Sequence, residues 1–179
     1  MTRLKKKKKK VNFEDIQLLV LDVDGVLTDG TIVINPDGSE SKFFNVLDGH
    51  GIKMWRRAGL KVALLSGRAS QPTRFRAEQL EVDYCLENCR DKMPALKKLL
   101  DDLALTAKQT AFVGDDLPDI PPMRCVGFAV AVANAVKEVK QYANFVTKLS
   151  GGSGAVREVI EYMLKKKGLW QKLLERYIA

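Results

Sequence analysis

The chain has 179 residues, 46% apolar and 29% charged, which fits one domain with a sizeable core. Its formal charge is +8, but Lys5–Lys10 supply six of those charges and leave +2 for the rest, so nucleic-acid binding by the body is not implied. No apolar stretch is long enough to cross a bilayer, and the single histidine argues against a zinc cage, a Ser-His-Asp hydrolase or a histidine phosphatase.

Residues 1–12 read as a basic tail kept disordered by self-repulsion, a solvated segment in preference to a partner-binding arm. No hydrophobic segment follows it at once, so a secretory signal is not expected. Leu18–Leu21 is a short apolar run that ends on Asp22, Asp24 and Gly25. That pattern predicts a buried parallel strand with two carboxylates at its carboxyl end, where open parallel sheets bind ligands. Two carboxylates together call for an offsetting charge, most simply a hard cation; the competing reading is an ordinary acidic turn.

Thr31–Ile34 and Glu40–Asn45 flank Asn35-Pro-Asp-Gly38 and predict a hairpin outside the strand–helix alternation. A helix is expected from Asp48, as its cap, to about Ala58, stopped by Gly59. Lys61–Leu65 is a core strand delivering Ser66-Gly67-Arg68, and Ser70 is placed to cap a helix carrying Arg74 and Arg76. Val82–Leu86 is a weaker strand, and Asp91-Lys92 opens a helix through Leu103. Thr110–Val113 is a strand ending at Gly114-Asp115-Asp116, with a short helix from Asp119. Gly127–Val132 and Asn144–Thr147 are strands, with a helix expected over Asn134–Tyr142 between them. After the Gly151–Gly154 turn, Ser153–Lys167 is amphipathic, and 168–179 reads as an extra amphipathic helix. Strands alternating with helices predict an α/β, doubly wound, Rossmann-like parallel sheet over residues 13–167, with the hairpin (about 31–45) inserted. Cys85, Cys89 and Cys125 form no paired framework, which fits buried or neutral thiols in a reducing, cytoplasmic compartment.

Asp22-Val-Asp24-Gly-Val-Leu-Thr28 resembles the first motif of the haloacid dehalogenase superfamily of phosphohydrolases. Ser66 in Leu-Leu-Ser-Gly-Arg, Lys92 in Arg-Asp-Lys, and Gly114-Asp115-Asp116-Leu-Pro-Asp119 stand for its other three motifs, in order. Phosphoryl transfer to an aspartate needs a nucleophilic carboxylate, an acid for the leaving oxygen, cations on the phosphoryl oxygens and a metal. The resemblance assigns these as Asp22, nucleophile and metal ligand; Asp24, acid/base and metal ligand through its backbone carbonyl; Ser66, hydrogen-bond donor to the phosphoryl group; Lys92, the cation; and Asp115, metal ligand. Asp116 and Asp119 are expected just behind the metal shell or on its waters, and the all-oxygen donor set calls for Mg²⁺. Each has a plainer alternative: Ser66 as a helix cap, Lys92 as surface charge, and the three acids as favourable groups at a helix start.

Within the superfamily the chain resembles the capless 3-deoxy-D-manno-octulosonate 8-phosphate phosphatase family. The resemblance rests on Asp22–Gly30, Asp48-Gly-His-Gly-Ile52, Ser66-Gly-Arg68 with Arg76, Gly114–Asp119 and Gly151–Glu158. It implies hydrolysis of that sugar-acid phosphate in lipopolysaccharide precursor synthesis. It also implies a homotetramer in which neighbouring hairpins close the sites, since about fifteen residues are too few for a cap domain. Substrate contacts are implied at Asp24, Asn45, Val46, Leu47, Asp48, Gly49, Lys53, Gly67, Arg68, Arg76, Lys92 and Asp116. Arg68 and Arg76 suit bidentate recognition of anions. The family commonly has Thr at Ser66 and often Arg near Lys53, and the 168–179 helix stands where it has a flexible tail. A nine-carbon keto-sugar acid phosphate is the alternative substrate. A non-enzymatic phospho-acceptor or binding module is the alternative of another class, against which Asp24 counts because a phospho-acceptor needs no acid/base there.

Overall fold

The computed structural model describes residues 11–178; the Lys5–Lys10 run lies outside the described residues. Six parallel strands form the central sheet in the order β5-β4-β1-β6-β7-β8. They are β1 (Leu18–Leu21), β4 (Lys61–Leu65), β5 (Tyr84–Leu86), β6 (Thr110–Gly114), β7 (Phe128–Ala131) and β8 (Phe145–Val146). The inserted hairpin is β2 (Val33–Ile34) paired antiparallel with β3 (Glu40–Ser41), Val33 opposite Ser41. The helices are α1 (Val46–Arg57), α2 (Gln71–Gln79), α3 (Lys92–Asp102), α4 (Ile120–Cys125), α5 (Lys137–Lys140), α6 (Ala155–Lys166) and α7 (Trp170–Ile178). Helices α1 and α6 pack together, as do α3 and α4, and the pairs flank the sheet.

β1 is the centre. All four of its residues are fully buried, flanked by β4 and β6 in register Leu18↔Lys61 and Leu18↔Thr110. An unbroken apolar run suits this place, because a strand covered on both faces has no solvent side. Each such side chain contributes roughly 1.5–3 kcal/mol of burial. The chain runs from β1 outward through β4 and β5 on one side and then crosses to β6 on the other, so the crevice beyond the carboxyl end of β1 is a topological switch point.

The doubly wound architecture and the hairpin agree with the expectations. Several boundaries differ for physical reasons. Asn45, not Asp48, caps α1: its side chain accepts the Leu47 N–H, so the helix starts two residues before Asp48. Ser70 stands at the N-cap of α2, but its hydroxyl is buried without a partner; Pro72 in the first turn supplies no N–H there. Within Asn134–Tyr142 only Lys137–Lys140 is helical, because Asn134 is engaged with two loops. The hairpin strands are two residues each, and β5 starts at Tyr84. Gly154, with φ of 100°, delays α6 to Ala155.

A helix does follow Gly168: α7 spans Trp170–Ile178, and Trp170 and Leu173, with Leu169 just before it, pack against the core. Near its end the Tyr177 hydroxyl accepts a hydrogen bond from Arg57 at 2.6 Å and lies 2.8 Å from His50 Nε2. Among the described residues, no helix is long and apolar enough to cross a membrane.

Candidate active site

The loop after β1 is wound around two acceptors. The Val23 carbonyl accepts the N–H groups of Val26, Leu27 and Thr28, and the buried Thr28 hydroxyl accepts those of Gly25 and Gly30. Asp22 continues the sheet by donating its N–H to Val113 at 3.0 Å, which fixes its side chain at the strand end. Gly25 takes φ of +90°, and a Cβ there would overlap the Asp115 carboxylate, so glycine lets the loop after β6 close on the loop after β1. Gly151 plays the same part on the other side, where a Cβ would strike the Gly25 carbonyl. Asn134 bridges two of these loops: its amide donates to Gly25 O at 3.1 Å and its oxygen accepts from Gly151 N at 2.7 Å.

These loops bring Asp22, Asp115 and Asp119 together, with one oxygen of each within 4.8 Å of the others. Lys92 reaches in from the start of α3, its Nζ 2.7 Å from Asp22 Oδ1 and 2.6 Å from Asp119 Oδ1. Asp119 also accepts the N–H groups of Asp115 and Asp116 on its other oxygen, at 2.9 and 3.2 Å. Asp119 thus stands within the carboxylate cluster, and it shapes the loop as well. Asp116 is exposed and accepts from Leu117 N; it caps a single 3-10 turn and stands outside the cluster.

Three carboxylates face one ammonium, and the charges show in their proton affinities. Burial, then the Asp119 charge, push the Asp22 carboxyl up to about 6 against the pull of Lys92. Burial and the charges of Asp22 and Asp119 push Asp115 up to about 8. Burial works against the Lys92 charge, but Asp22 and Asp119 more than offset it and hold Lys92 above the ordinary lysine range. The Asp115 Oδ1 atom is buried with no hydrogen-bond partner. An excess of buried negative charge with an orphaned carboxylate oxygen is what a divalent cation would relieve, and three hard oxygen donors fit Mg²⁺. Among the described residues no other group of acids, histidines and cysteines has this spacing.

The remaining predicted residues surround the cluster. Ser66 is buried at the end of β4, and its hydroxyl accepts the Arg68 N–H at 3.2 Å. Gly67 carries the chain to Arg68, which pairs with Glu40 of the hairpin. Asp24 is paired with Lys42, just beyond β3, at 2.6 Å. Val46, Gly49, Lys53 and Arg76 line a cleft of about 440 Å³ together with His50 and Leu80. Arg76 donates to Asn45 O at 3.4 Å, and the Asn45 amide reaches Gly152 O at 3.4 Å, linking this cleft to the glycine turn beside the loop after β1. Leu47 is exposed, while Asp48 is buried and turned to α6.

Sequence reading missed Lys42, Glu40 and Asn134. Glu40 and Lys42 carried a usable signal, opposite charges two apart on a strand and so on one face. Asn134 carried none, since its partners are 109 and 17 residues away.

The family of haloacid dehalogenase-like hydrolases matches residues 86–160. The 3-deoxy-D-manno-octulosonate 8-phosphate phosphatase KdsC of Escherichia coli K12 is 42% identical over 155 residues, 87% of this chain and 82% of that protein. A solved structure from Pseudomonas syringae, a probable YrbI family phosphatase, aligns with a TM-score of 0.91 at 43% identity, over 93% of this chain and 95% of the other. The Moraxella catarrhalis 3-deoxy-D-manno-octulosonate 8-phosphate phosphatase, solved with magnesium, phosphate and the sugar acid, aligns with a TM-score of 0.90 at 34% identity, over 92% and 95%. Identity of this extent over most of both chains, on the fold and loop architecture just described, places the chain in the 3-deoxy-D-manno-octulosonate 8-phosphate phosphatase family of haloacid dehalogenase-like hydrolases.

Proposed function

We propose that this protein is a Mg²⁺-dependent phosphomonoesterase that hydrolyses 3-deoxy-D-manno-octulosonate 8-phosphate to the sugar acid and phosphate, a step in making a lipopolysaccharide precursor. The observation that carries the reading is the cluster of buried Asp22 and Asp119 with half-buried Asp115, and Lys92 between two of its members. The name of the 42% identical relative supplies the substrate.

In this reading an Asp22 oxygen attacks phosphorus as the bond to the sugar oxygen breaks, and Asp24 gives its proton to that leaving oxygen. Asp24 then takes a proton from water, which attacks the phosphorus of phospho-Asp22, releases phosphate and regenerates the carboxylate. Ser66 donates its hydroxyl hydrogen to a phosphoryl oxygen, and Lys92 balances charge on Asp22 and the phosphoryl group. Asp22, Asp115 and the Asp24 backbone carbonyl would hold the metal, with Asp119 or Asp116 on its waters. When bound, Mg²⁺ neutralises the carboxylates and the phosphate so that like charges can approach. Arg76 and Lys53 in the cleft beside Asn45–Gly49 supply positive charge for the substrate's carboxylate end. Arg68 joins them once a ligand competes with Glu40.

The catalytic domain spans 13–167, with 168–179 as an appended helix. A homotetramer with neighbouring hairpins over each site is supported by exposed apolar residues on and beside the hairpin, Ile32, Ile34, Phe43 and Val46. Three free cysteines fit a cytoplasmic location.

The test is phosphate release from a panel of eight- and nine-carbon keto-sugar acid phosphates, with Mg²⁺ and with chelator, by wild type and Asp22→Asn. Metal-dependent release from the eight-carbon acid, abolished in the variant, is expected. Release from the nine-carbon acid alone would replace the substrate, and no release by a folded protein would overturn the enzyme reading. Light scattering on the same preparation reads the oligomer.

A further inference from the structure

Lys42 belongs to none of the four motifs, yet its side chain is only 4% exposed and its Nζ lies 2.6 Å from Asp24 Oδ1. Among the described residues this is the one hydrogen bond made by the Asp24 side chain, which is itself 24% exposed and has no protein partner on Oδ2. A lysine is buried to this extent only when paired. The pair spans two elements: Asp24 is on the loop after β1, and Lys42 follows β3 of the hairpin that occupies the place of a cap. Glu40, two residues earlier and within β3, grips Arg68 on the loop after β4. The hairpin therefore holds the site through two ion pairs, one of which ends on the proposed acid/base.

We propose that Lys42 is a positioning residue for Asp24. By fixing Oδ1, the ammonium directs Oδ2 to the leaving oxygen of the substrate. When the Asp22 oxygen bonds to phosphorus and the phosphorus–sugar oxygen bond breaks, the proton moves from Asp24 Oδ2 to the sugar oxygen. The carboxylate left behind faces the Lys42 charge. The hairpin thus aligns the proton donor from within its own protomer, besides whatever a neighbouring hairpin covers. This rests on the reading of the site as a phosphatase.

The role has a signature that simple support of the fold lacks, because a good leaving group departs without a proton. The experiment compares kcat/KM, which reports the step through bond cleavage, for p-nitrophenyl phosphate and for a set of alkyl phosphates that includes 3-deoxy-D-manno-octulosonate 8-phosphate. Wild type, Lys42→Met and Lys42→Arg are assayed at saturating Mg²⁺, with melting curves for each. Lys42→Met is expected to lose about 10–100-fold on alkyl phosphates, part of what a general acid supplies, and no more than about 3-fold on p-nitrophenyl phosphate. Lys42→Arg recovers most of the loss. Equal losses on both classes, or none, overturn the proposal. Should Lys42→Met fail to fold, Lys42→Gln, which keeps a donor without the charge, takes its place under the same criterion. A wild type inactive on every phosphate would instead overturn the phosphatase reading, and this proposal with it.

Discussion

Asp48 caps a helix to which it does not belong. It lies in the first turn of α1, yet its Oδ1 accepts the Arg157 N–H of α6 at 2.8 Å and its Oδ2 accepts the Gly154 N–H at 3.2 Å. The N-terminus of α6 begins at a left-handed glycine with no side chain to cap it, so a carboxylate 106 residues earlier serves instead. The same contact pins the glycine turn that packs on the loop after β1.

Asp48→Ala should therefore cost about 1–2 kcal/mol of stability, the usual worth of a helix cap. Asp48→Asn keeps one acceptor oxygen but turns an amide NH₂ toward the second N–H, so its loss should fall between. Urea unfolding measures both; an unchanged midpoint in Asp48→Ala would show that α6 needs no such cap.

Lys92→Met leaves Asp22 and Asp119 buried without their shared cation. Breaking a buried pair in this way costs roughly 3–5 kcal/mol. Phosphate release should fall by at least about 100-fold through lost charge stabilisation. Unfolding in chelator and turnover in Mg²⁺ check the two effects separately. A variant as stable as wild type without metal would mean that the acids are compensated elsewhere.

The raised proton affinities of Asp22, to about 6, and Asp115, to about 8, set a pH dependence. Between the unfolded value of 3.8 and these values the native state holds protons that the unfolded chain has lost. By linkage the two groups make metal-free stability fall as pH rises through this window. Mg²⁺ takes the place of those protons, so the gap in melting temperature between Mg²⁺ and chelator should widen from pH 6 to pH 8. Calorimetric titration with Mg²⁺ at pH 7 should release protons, visible as a dependence of the heat on buffer ionisation enthalpy. A constant gap and buffer-independent heat would contradict the assignment.

Gly25→Ala tests the closeness of the two acidic loops. An added Cβ meets the Asp115 carboxylate, and φ of +90° is strained for alanine. The Mg²⁺ concentration giving half-maximal activity should rise by about 10–100-fold, as when a residue supporting a metal ligand is lost. An unchanged midpoint would show that Asp115 does not need its present position.

Much of this was legible in local sequence. The apolar run of β1, short and bounded by a turn signal, read as a buried strand, and each acidic or hydroxyl motif stood at a strand end or a helix start. Asn45 was harder to identify as the α1 cap because Asp48, three residues on, is an equally good capping type. Asp48's true partner is on another helix, and no local rule reports that.

What the sequence determined by itself is what short-range physics fixes: the alternation of strands and helices, the turn at Asn35–Gly38, and acids, a hydroxyl and a lysine at element ends. Tertiary structure alone decided which of those groups share a site. It drew Asp119 into the carboxylate cluster and left Asp116 outside. It set Lys42 on Asp24, Glu40 on Arg68, and Asn134 between two loops. Those pairings join residues up to 109 apart in the chain. They depend on strand order and on close approaches such as Gly25 to Asp115, and no periodicity or motif spacing encodes such distances.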